Sequence, residues 1–194
     1  MPGYEVIDDC ERDEVLSVFS NGGVLFRQGF ENRRGGTYKV QQFEEAFAAQ
    51  MRVPGALAVT SGTSALKIGL KALGVGPGDE VITQAFTFVA TVEAIVEAGA
   101  TPIIAEVDKT LNMDPRDLER KITARTRVVI PVHMLGVPAN LPEIMAICQQ
   151  KNVTVMEDTA WGCGGALGGE PLGTIGDLGA FSFDYAKTMT TGEG

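Results

Sequence analysis

Short apolar runs alternate with segments of helical periodicity from residue 56 to the end of the chain. The apolar runs predict strands at residues 57–60, 80–83, 101–107, 126–132, 153–157 and 180–183. Apolar residues spaced three and four apart predict helices at residues 63–73, 88–98, 115–122 and 141–150. This alternation is typical of a mostly parallel sheet covered by helices, so we expect a three-layer α/β/α fold.

The first 50 residues carry a weaker pattern. One helical segment around residues 15–19 is expected to stop at Asn21-Gly-Gly, and an amphipathic one around residues 43–47 is expected to end before Pro54. The glycine-rich stretch between them contains Arg33 and Arg34, which we expect in a solvated loop. We therefore predict an N-terminal helical and loop segment at 1–50 and one α/β domain at 51–194.

Two of the predicted helices have start signals in the sequence. Asp114 is expected to cap a helix whose first residue is Pro115, and Asn140 is expected to cap the next one with Glu143 three residues on. These signals predict helix starts at residues 115 and 141.

Charge and hydropathy exclude several classes of partner. The 25 Asp and Glu outnumber the 16 Lys and Arg, giving a net charge of −9, and no basic run occurs. Nucleic acids and anionic membranes are therefore not expected as partners. No apolar run of about 18 residues and no export signal is present, so we expect neither a membrane span nor secretion.

The cysteine and histidine content argues against a metal site. Cys10, Cys148 and Cys163 have no paired spacing, and His133 is the single histidine. These are too few soft ligands for zinc, so no metal is expected. Reduced cysteines fit a cytoplasmic protein best.

Two residues of the C-terminal stretch suggest cofactor chemistry. Asp158 ends an apolar run, and the carboxyl ends of strands in α/β sheets are where ligands bind, although a lone acid there is usually just solvated. Lys187 has few acidic neighbours in sequence; it is either a surface residue or a desolvated amine able to form a Schiff base. An acid that keeps a pyridine nitrogen protonated and such a lysine are what a pyridoxal phosphate site needs.

A third feature is an anion site at a predicted helix start. Ser61-Gly62-Thr63 follows a predicted strand and opens a helix, which places hydroxyls and backbone N–H groups at the positive end of the helix dipole. The same residues are also ordinary helix caps, and both interpretations remain open from spacing alone.

Seven motifs in order extend over nearly the whole chain: Thr60-Ser-Gly-Thr-Ser-Ala-Leu, Ala85-Phe-Thr-Phe-Val-Ala-Thr, Pro131-Val-His, Glu157-Asp-Thr-Ala, Gly173-Thr-Ile-Gly-Asp-Leu-Gly-Ala-Phe-Ser-Phe, Lys187 and Gly192-Glu-Gly. In these motifs the chain resembles the pyridoxal phosphate aminotransferases of the DegT/DnrJ/EryC1/StrS group, the sugar aminotransferases. The resemblance implies the large domain of a fold-type I pyridoxal phosphate enzyme, with a smaller domain expected beyond residue 194.

The resemblance also implies roles for individual residues. Lys187 would hold the cofactor aldehyde and later move the substrate proton, and Asp158 would keep the ring nitrogen protonated. The ring of Phe88 would lie on the cofactor ring, whereas Phe86 is expected to pack. The remaining cofactor-binding candidates are Ser61, Gly62, Thr63 and Ser182 at the phosphate and Trp161 near the ring.

Two candidates are less settled. Trp161 occupies a position where the family often has Gln or His, and its indole N–H can donate but not accept, so it is either a substrate wall or packing. His133 is a candidate substrate contact at a strand end, although a lone histidine is more often structural.

The resemblance implies an amino-acid donor, with glutamate the expected one, and a keto-sugar acceptor. The acceptor is either nucleotide-linked, the 8-oxo precursor of 8-amino-3,8-dideoxy-octulosonate, or another ketone such as a cyclitol. An acidic acceptor would need an arginine, and Arg27, Arg33 and Arg34 are candidates, Arg27 foremost. A homodimer is also implied, because the family's active site lies between two subunits.

The sequence also bears on three rival functions. A nicotinamide enzyme would need Gly-x-Gly-x-x-Gly between a strand and a helix, which neither Gly74-Val-Gly nor Gly162-Cys-Gly-Gly provides. A sugar dehydratase of the same fold would have histidine where Lys187 stands. A non-catalytic cofactor-binding or sugar-sensing fragment is the alternative from a different class.

Overall fold

The computed structural model describes residues 2–194, which form two compact units, one up to Ala58 and one from Val59 to Gly194. The first unit is helical. Its first long helix begins with a capping box at Asp8. The side chain of Asp8 accepts a hydrogen bond from the backbone N–H of Cys10, and the side chain of Glu11 accepts one from the backbone N–H of Asp8. Its elements are a 3-10 turn at Gly3–Val6 and the helices α1 (Asp9–Ser20), α2 (Glu31–Arg34) and α3 (Lys39–Met51).

The second unit alternates strands and helices. In chain order the elements are α4 (Gly62–Ala72), β1 (Glu80–Gln84), α5 (Val89–Glu97), β2 (Thr101–Ala105), α6 (Pro115–Lys121), β3 (Thr126–Ile130), a 3-10 turn at Met134–Gly136, α7 (Leu141–Lys151), β4 (Thr154–Asp158), β5 (Ala166–Leu167), β6 (Glu170–Pro171) and β7 (Leu178–Ala180). The parallel sheet has the strand order β2-β1-β3-β4-β7, and a separate antiparallel pair is formed by β5 and β6.

The sheet is covered on both faces. Alternate strand residues point to opposite faces, so Met156 packs in one core cluster with Leu70 of α4 and residues of α5, while Val155 packs in the other with Ile144 of α7 and residues of α6. The expected three-layer α/β/α arrangement with a parallel sheet is confirmed.

The buried Glu157 ties β7 to the rest of the sheet. Its carboxylate accepts four hydrogen bonds, from Nε2 of His133 at 2.8 Å and from the backbone N–H groups of Gly173, Ile175 and Gly176 at 2.8, 2.7 and 2.6 Å. Burial by itself would raise the pKa of Glu157, but these hydrogen bonds bring it below the ordinary value. Glu157 therefore remains charged and fixes the segment that leads into β7.

Most predicted elements are confirmed with boundaries that shift by one or two residues, including the helix starts at Gly62 and Pro115. The strand predicted at 57–60 is wrong. The backbone of Ala58 is satisfied by side chains instead, since its N–H donates to Glu44 and its carbonyl accepts from Arg27. An apolar run alone does not reveal such side-chain partners.

The last predicted strand was placed too late. β7 ends at Ala180, and beyond it Phe183 bonds to Thr191 and Gly194 rather than to β4. β7 contains Gly179, where a Cβ would lie 2.1 Å from the carbonyl oxygen of Gly173. Only glycine permits this contact, and glycine weakens the strand signal in the sequence.

Two local expectations are also corrected. Asn140 precedes α7, but its side chain donates to Glu143 and does not cap the helix backbone. Arg34 is buried rather than solvated: its guanidinium donates to the carbonyls of Phe26 and Gly29 and lies 4.9 Å from the ring centroid of Tyr38. The capping role predicted for Asp114 is confirmed. None of the helices within residues 2–194 is long and apolar enough to cross a membrane.

We predict that Glu157→Gln lowers the free energy of unfolding at pH 7 by about 1–3 kcal/mol, because an amide NH₂ would face buried donors. The pKa of Glu157 is lowered in the fold, so its stabilising contribution is present above the unfolded pKa and is lost as pH falls through the folded one. Urea unfolding at pH 7 and pH 3 measures the loss of stability and its dependence on pH.

The difference between wild type and Glu157→Gln should therefore shrink at pH 3. Glu143→Gln is the matched control: Glu143 is exposed and should change stability little. Equal stability of wild type and Glu157→Gln at pH 7 would contradict the anchoring role.

Candidate functional site

A cavity of about 400 Å³ lies at the carboxyl ends of β1, β3, β4 and β7 in the second unit. This is the edge of a parallel sheet at which ligands are expected, and the volume suits a small organic molecule. The structure brings all eight cofactor candidates to its wall: Ser61, Gly62, Thr63, Phe88, Asp158, Trp161, Ser182 and Lys187.

Asp158 is the last residue of β4 and is 4% exposed. Its Oδ2 accepts from the hydroxyl of Thr91 at 2.8 Å, and its Oδ1 accepts from the N–H of Ala160 at 3.1 Å. Burial raises the pKa of Asp158, and these two hydrogen bonds and the charge of Lys187 oppose the rise. A carboxylate has about four acceptor sites, so Asp158 keeps capacity for a further donor in the cavity.

Lys187 lies in a turn after β7, where its N–H donates to the carbonyl of Asp184 at 2.9 Å. Its Nζ is 4.2 Å from the ring centroid of Trp161, a cation–π distance. Burial lowers the pKa of the Lys187 ammonium, and the charges of Asp158 and Asp184 oppose this. The amine is therefore closer to its nucleophilic neutral form than a surface lysine is.

The start of α4 forms a cradle of donors. The Ser61 hydroxyl caps the helix by accepting from the N–H of Ser64 at 3.0 Å, while the N–H groups of Gly62 and Thr63 have no partner within residues 2–194. At Gly62 a Cβ would lie 2.8 Å from the Cβ of Ser182. Glycine at this position thus lets the Ser182 hydroxyl approach the helix start.

Aromatic side chains form the rest of the wall. Phe88, at the N-terminal boundary of α5, is 63% exposed, and Trp161 is 41% exposed. Phe86 is exposed as well, so the expectation that it packs is wrong. Exposure of apolar rings at the cavity indicates a surface that a flat ligand can cover.

His133 is not among the residues that line the cavity, and its predicted contact with substrate stays a prediction. It is fully buried, its Nε2 bonds to Glu157, and its Nδ1 accepts from the N–H of Ala139 at 3.1 Å. Both ring nitrogens are occupied, with Nε2 carrying the proton. His133 is a structural support for Glu157.

Arg27 lies in the first unit, where its guanidinium is already engaged. It donates to the carboxylate of Glu44 and to the carbonyl of Ala58. Arg33 is exposed on α2. A substrate role for Arg27 stays a prediction, but it would require the pairing with Glu44 to be given up.

Two hydroxyls of the site were not predicted. Thr87 and Thr91 both line the cavity, and their Oγ1 atoms are 2.8 Å apart. Both belong to the motif that contains Phe88, which is the signal in the sequence that could have indicated them. The partner of Thr91, Asp158, is 67 positions away, which no local pattern reveals.

Known proteins resemble this chain in sequence. A GDP-perosamine synthase from Caulobacter vibrioides is 40% identical over 189 residues, which are 97% of this chain and 48% of that protein. The spore coat polysaccharide biosynthesis protein SpsC from Bacillus subtilis is 46% identical over 157 residues, which are 80% of this chain and 40% of that protein.

A solved structure is similar over nearly the whole chain. The putative sugar aminotransferase Spr1654 from Streptococcus pneumoniae, in its PLP form, has a TM-score of 0.88 at 29% identity and covers 99% of this chain and 50% of that one. The chain thus spans about half the length of these relatives, or less. Residues 28–194 match a family model, and on that match the chain belongs to the DegT/DnrJ/EryC1/StrS aminotransferase family.

Proposed function

We propose that this chain supplies the cofactor-binding part of a pyridoxal phosphate-dependent aminotransferase that transfers an amino group from an amino acid to a keto-sugar. The observation that carries the proposal is that three features line one cavity. They are the buried carboxylate of Asp158, the amine of Lys187 and the donor cradle at the start of α4. A binding protein without chemistry would not need a half-buried lysine facing a buried acid.

The residues present fit the cofactor. The cradle at Gly62 and Thr63, with the hydroxyl of Ser182 drawn close by the missing Cβ at Gly62, offers the N–H and O–H donors that a phosphate takes. Asp158, which lines the same cavity, keeps acceptor capacity for a ring nitrogen. Spr1654, solved in its PLP form, supports the same assignment here.

When bound, pyridoxal phosphate supplies a ring that accepts electrons from the carbon next to the amino group. Asp158 would hold the ring nitrogen by accepting its hydrogen bond, and the ring of Phe88 would pack against the cofactor and exclude water.

Lys187 has two tasks in this proposal. Its amine would hold the cofactor before substrate binds and would afterwards accept the proton from the substrate carbon. The lowered pKa of Lys187 makes the neutral, proton-accepting amine accessible. The ring of Trp161, 4.2 Å from Nζ, positions the Lys187 side chain at the cavity.

We infer that the acceptor is a nucleotide-linked keto-sugar and that glutamate is the donor. The similarity to a GDP-perosamine synthase supports the acceptor class. Arg27 and Arg34, two of the three arginines considered for an acidic acceptor, are held by Glu44 and by backbone carbonyls. This disfavours the free octulosonate, and the glutamate donor rests on the family resemblance.

We also infer a homodimer, and this inference rests on the family resemblance, because the family's active site lies between two subunits. Light scattering after gel filtration measures the mass in solution. A single monomer peak from a protein that transaminates would rule this out.

The function is tested by a half-reaction. Protein loaded with pyridoxamine phosphate is incubated with nucleotide-linked keto-sugars or with the free 8-oxo octulosonate, and formation of pyridoxal phosphate is followed by chromatography. We expect conversion with a nucleotide-linked ketone, slowed at least about hundredfold by Lys187→Ala, since the proton-transfer base is lost.

Lys151→Ala is the control, because Lys151 is an exposed lysine at the end of α7. Conversion only with the free octulosonate would overturn the acceptor class. No conversion with any ketone, or full rate in Lys187→Ala, would overturn the proposed reaction.

A second prediction concerns stability without cofactor. Because the folded pKa of Asp158 is raised, the fold binds its proton more tightly than the unfolded chain does, and stability falls as pH rises from the unfolded pKa through the folded one. Asp158→Asn removes this cost at pH 7, and the Thr91 hydroxyl can rotate to accept from the amide. We expect a melting temperature about 2–4 °C higher at pH 7, the shift for about 1 kcal/mol in a chain of this size.

Differential scanning calorimetry of cofactor-free protein measures this shift, which should vanish near pH 3. The control is Asp184→Asn, which removes an exposed charge that also acts on Lys187. A lower melting temperature for Asp158→Asn at pH 7 would contradict the cost assigned to the buried carboxylate.

A further inference from the structure

Two threonines connect the buried carboxylate to the cavity wall. Thr91 on α5 is fully buried, and its Oγ1 lies 2.8 Å from Oδ2 of Asp158 and 2.8 Å from Oγ1 of Thr87. Thr87 is half-buried and lines the cavity. The three side chains form a continuous row of hydrogen bonds, which we call the hydroxyl chain.

The direction of the hydroxyl chain follows from counting protons. An ionised Asp158 can only accept, so the single hydroxyl proton of Thr91 points at Oδ2. Thr91 Oγ1 must then accept from Thr87, whose own proton is used in turn. With Asp158 charged, every proton in the chain points toward the carboxylate.

Packing alone does not account for Thr91. A helical threonine usually satisfies its hydroxyl on the carbonyl four residues earlier. The hydroxyl of Thr91 instead bonds to a side chain on another element, and valine would fill the same volume without it. Burying a hydroxyl next to a buried acid is favourable only when the hydrogen bond between them is made.

We propose that Thr91, supported by Thr87, is a positioning residue that keeps Asp158 ionised and oriented to accept from the cofactor's ring nitrogen. The inference rests on the proposed function and deepens it. Thr91 does not touch the reacting atoms; it acts through Asp158. Loss of its hydroxyl makes the carboxylate more basic, so a proton shared with a ring nitrogen shifts from nitrogen toward oxygen.

The test uses pyridoxamine phosphate, which cannot form a bond with Lys187 through an aldehyde. Its affinity is read from quenching of Trp161, the only tryptophan, which lines the cavity. The protonation of the ring is read from the nitrogen-15 shift of ring-labelled pyridoxamine phosphate bound to the protein. The variants are Thr91→Val, Thr91→Ser and Thr87→Val.

Thr83→Val is the matched control. Thr83 is also fully buried, but its Oγ1 donates to the carbonyl of Ile130 within the sheet, away from the cavity wall. The same change of a buried threonine to valine should leave the nitrogen shift of the bound ring at its wild-type value. Any general loosening of the fold would appear equally in this variant.

We expect Thr91→Val to bind pyridoxamine phosphate about tenfold more weakly, equivalent to about 1.4 kcal/mol. Its nitrogen shift should move toward that of a neutral pyridine. Thr91→Ser should restore both readouts, and Thr87→Val should move the shift in the same direction by a smaller amount, since it removes only the outer hydrogen bond.

The possible outcomes distinguish failure of the proposed function from failure of the positioning role of Thr91. Failure of the wild type to bind pyridoxamine phosphate would overturn the proposed function itself. If the wild type binds pyridoxamine phosphate but the nitrogen shift is unchanged in Thr91→Val and Thr87→Val, only the positioning role would be overturned. A shift that Thr83→Val reproduces, or that Thr91→Ser fails to restore, would also overturn it.

Discussion

Two adjacent carboxylates are buried at the end of one central strand, and much of the second unit is arranged to satisfy them. Because neighbouring residues of a strand point to opposite faces, Glu157 and Asp158 face different layers. Glu157 receives four hydrogen bonds and serves the fold. Asp158 receives two and keeps capacity toward the cavity. The different number of hydrogen-bond donors thus distinguishes the structural carboxylate, Glu157, from the carboxylate available to a ligand, Asp158.

The two carboxylates place the other site residues. Glu157 holds the segment 173–176, which leads into β7 and from there to Ser182 and Lys187. Asp158 holds Thr91 and so the start of α5, next to Phe88. Burial raises the pKa of Asp158, so its charge is unfavourable for folding, whereas the proposed function needs that charge. Such a conflict between stability and activity is common at functional sites.

The sequence allowed the sheet, its covering helices and the cavity wall to be predicted, because strand ends and helix starts are local patterns and parallel strands place their carboxyl ends at one edge. Interactions between distant residues were not predictable in this way. The sequence gives no sign that His133 would meet Glu157 or that Thr91 would meet Asp158. The strand expected at 57–60 failed for the same reason, since its backbone partners are the side chains of a helix and a loop.

The central claim is that Lys187 is the lysine that bonds to pyridoxal phosphate in this cavity. The direct measurement is peptide mass mapping after the protein has been mixed with equimolar pyridoxal phosphate and reduced with borohydride. The account predicts one phosphopyridoxyl group per chain, on Lys187, and its loss in the Lys187→Ala variant. Modification of exposed lysines such as Lys151, with Lys187 unmodified, would contradict it.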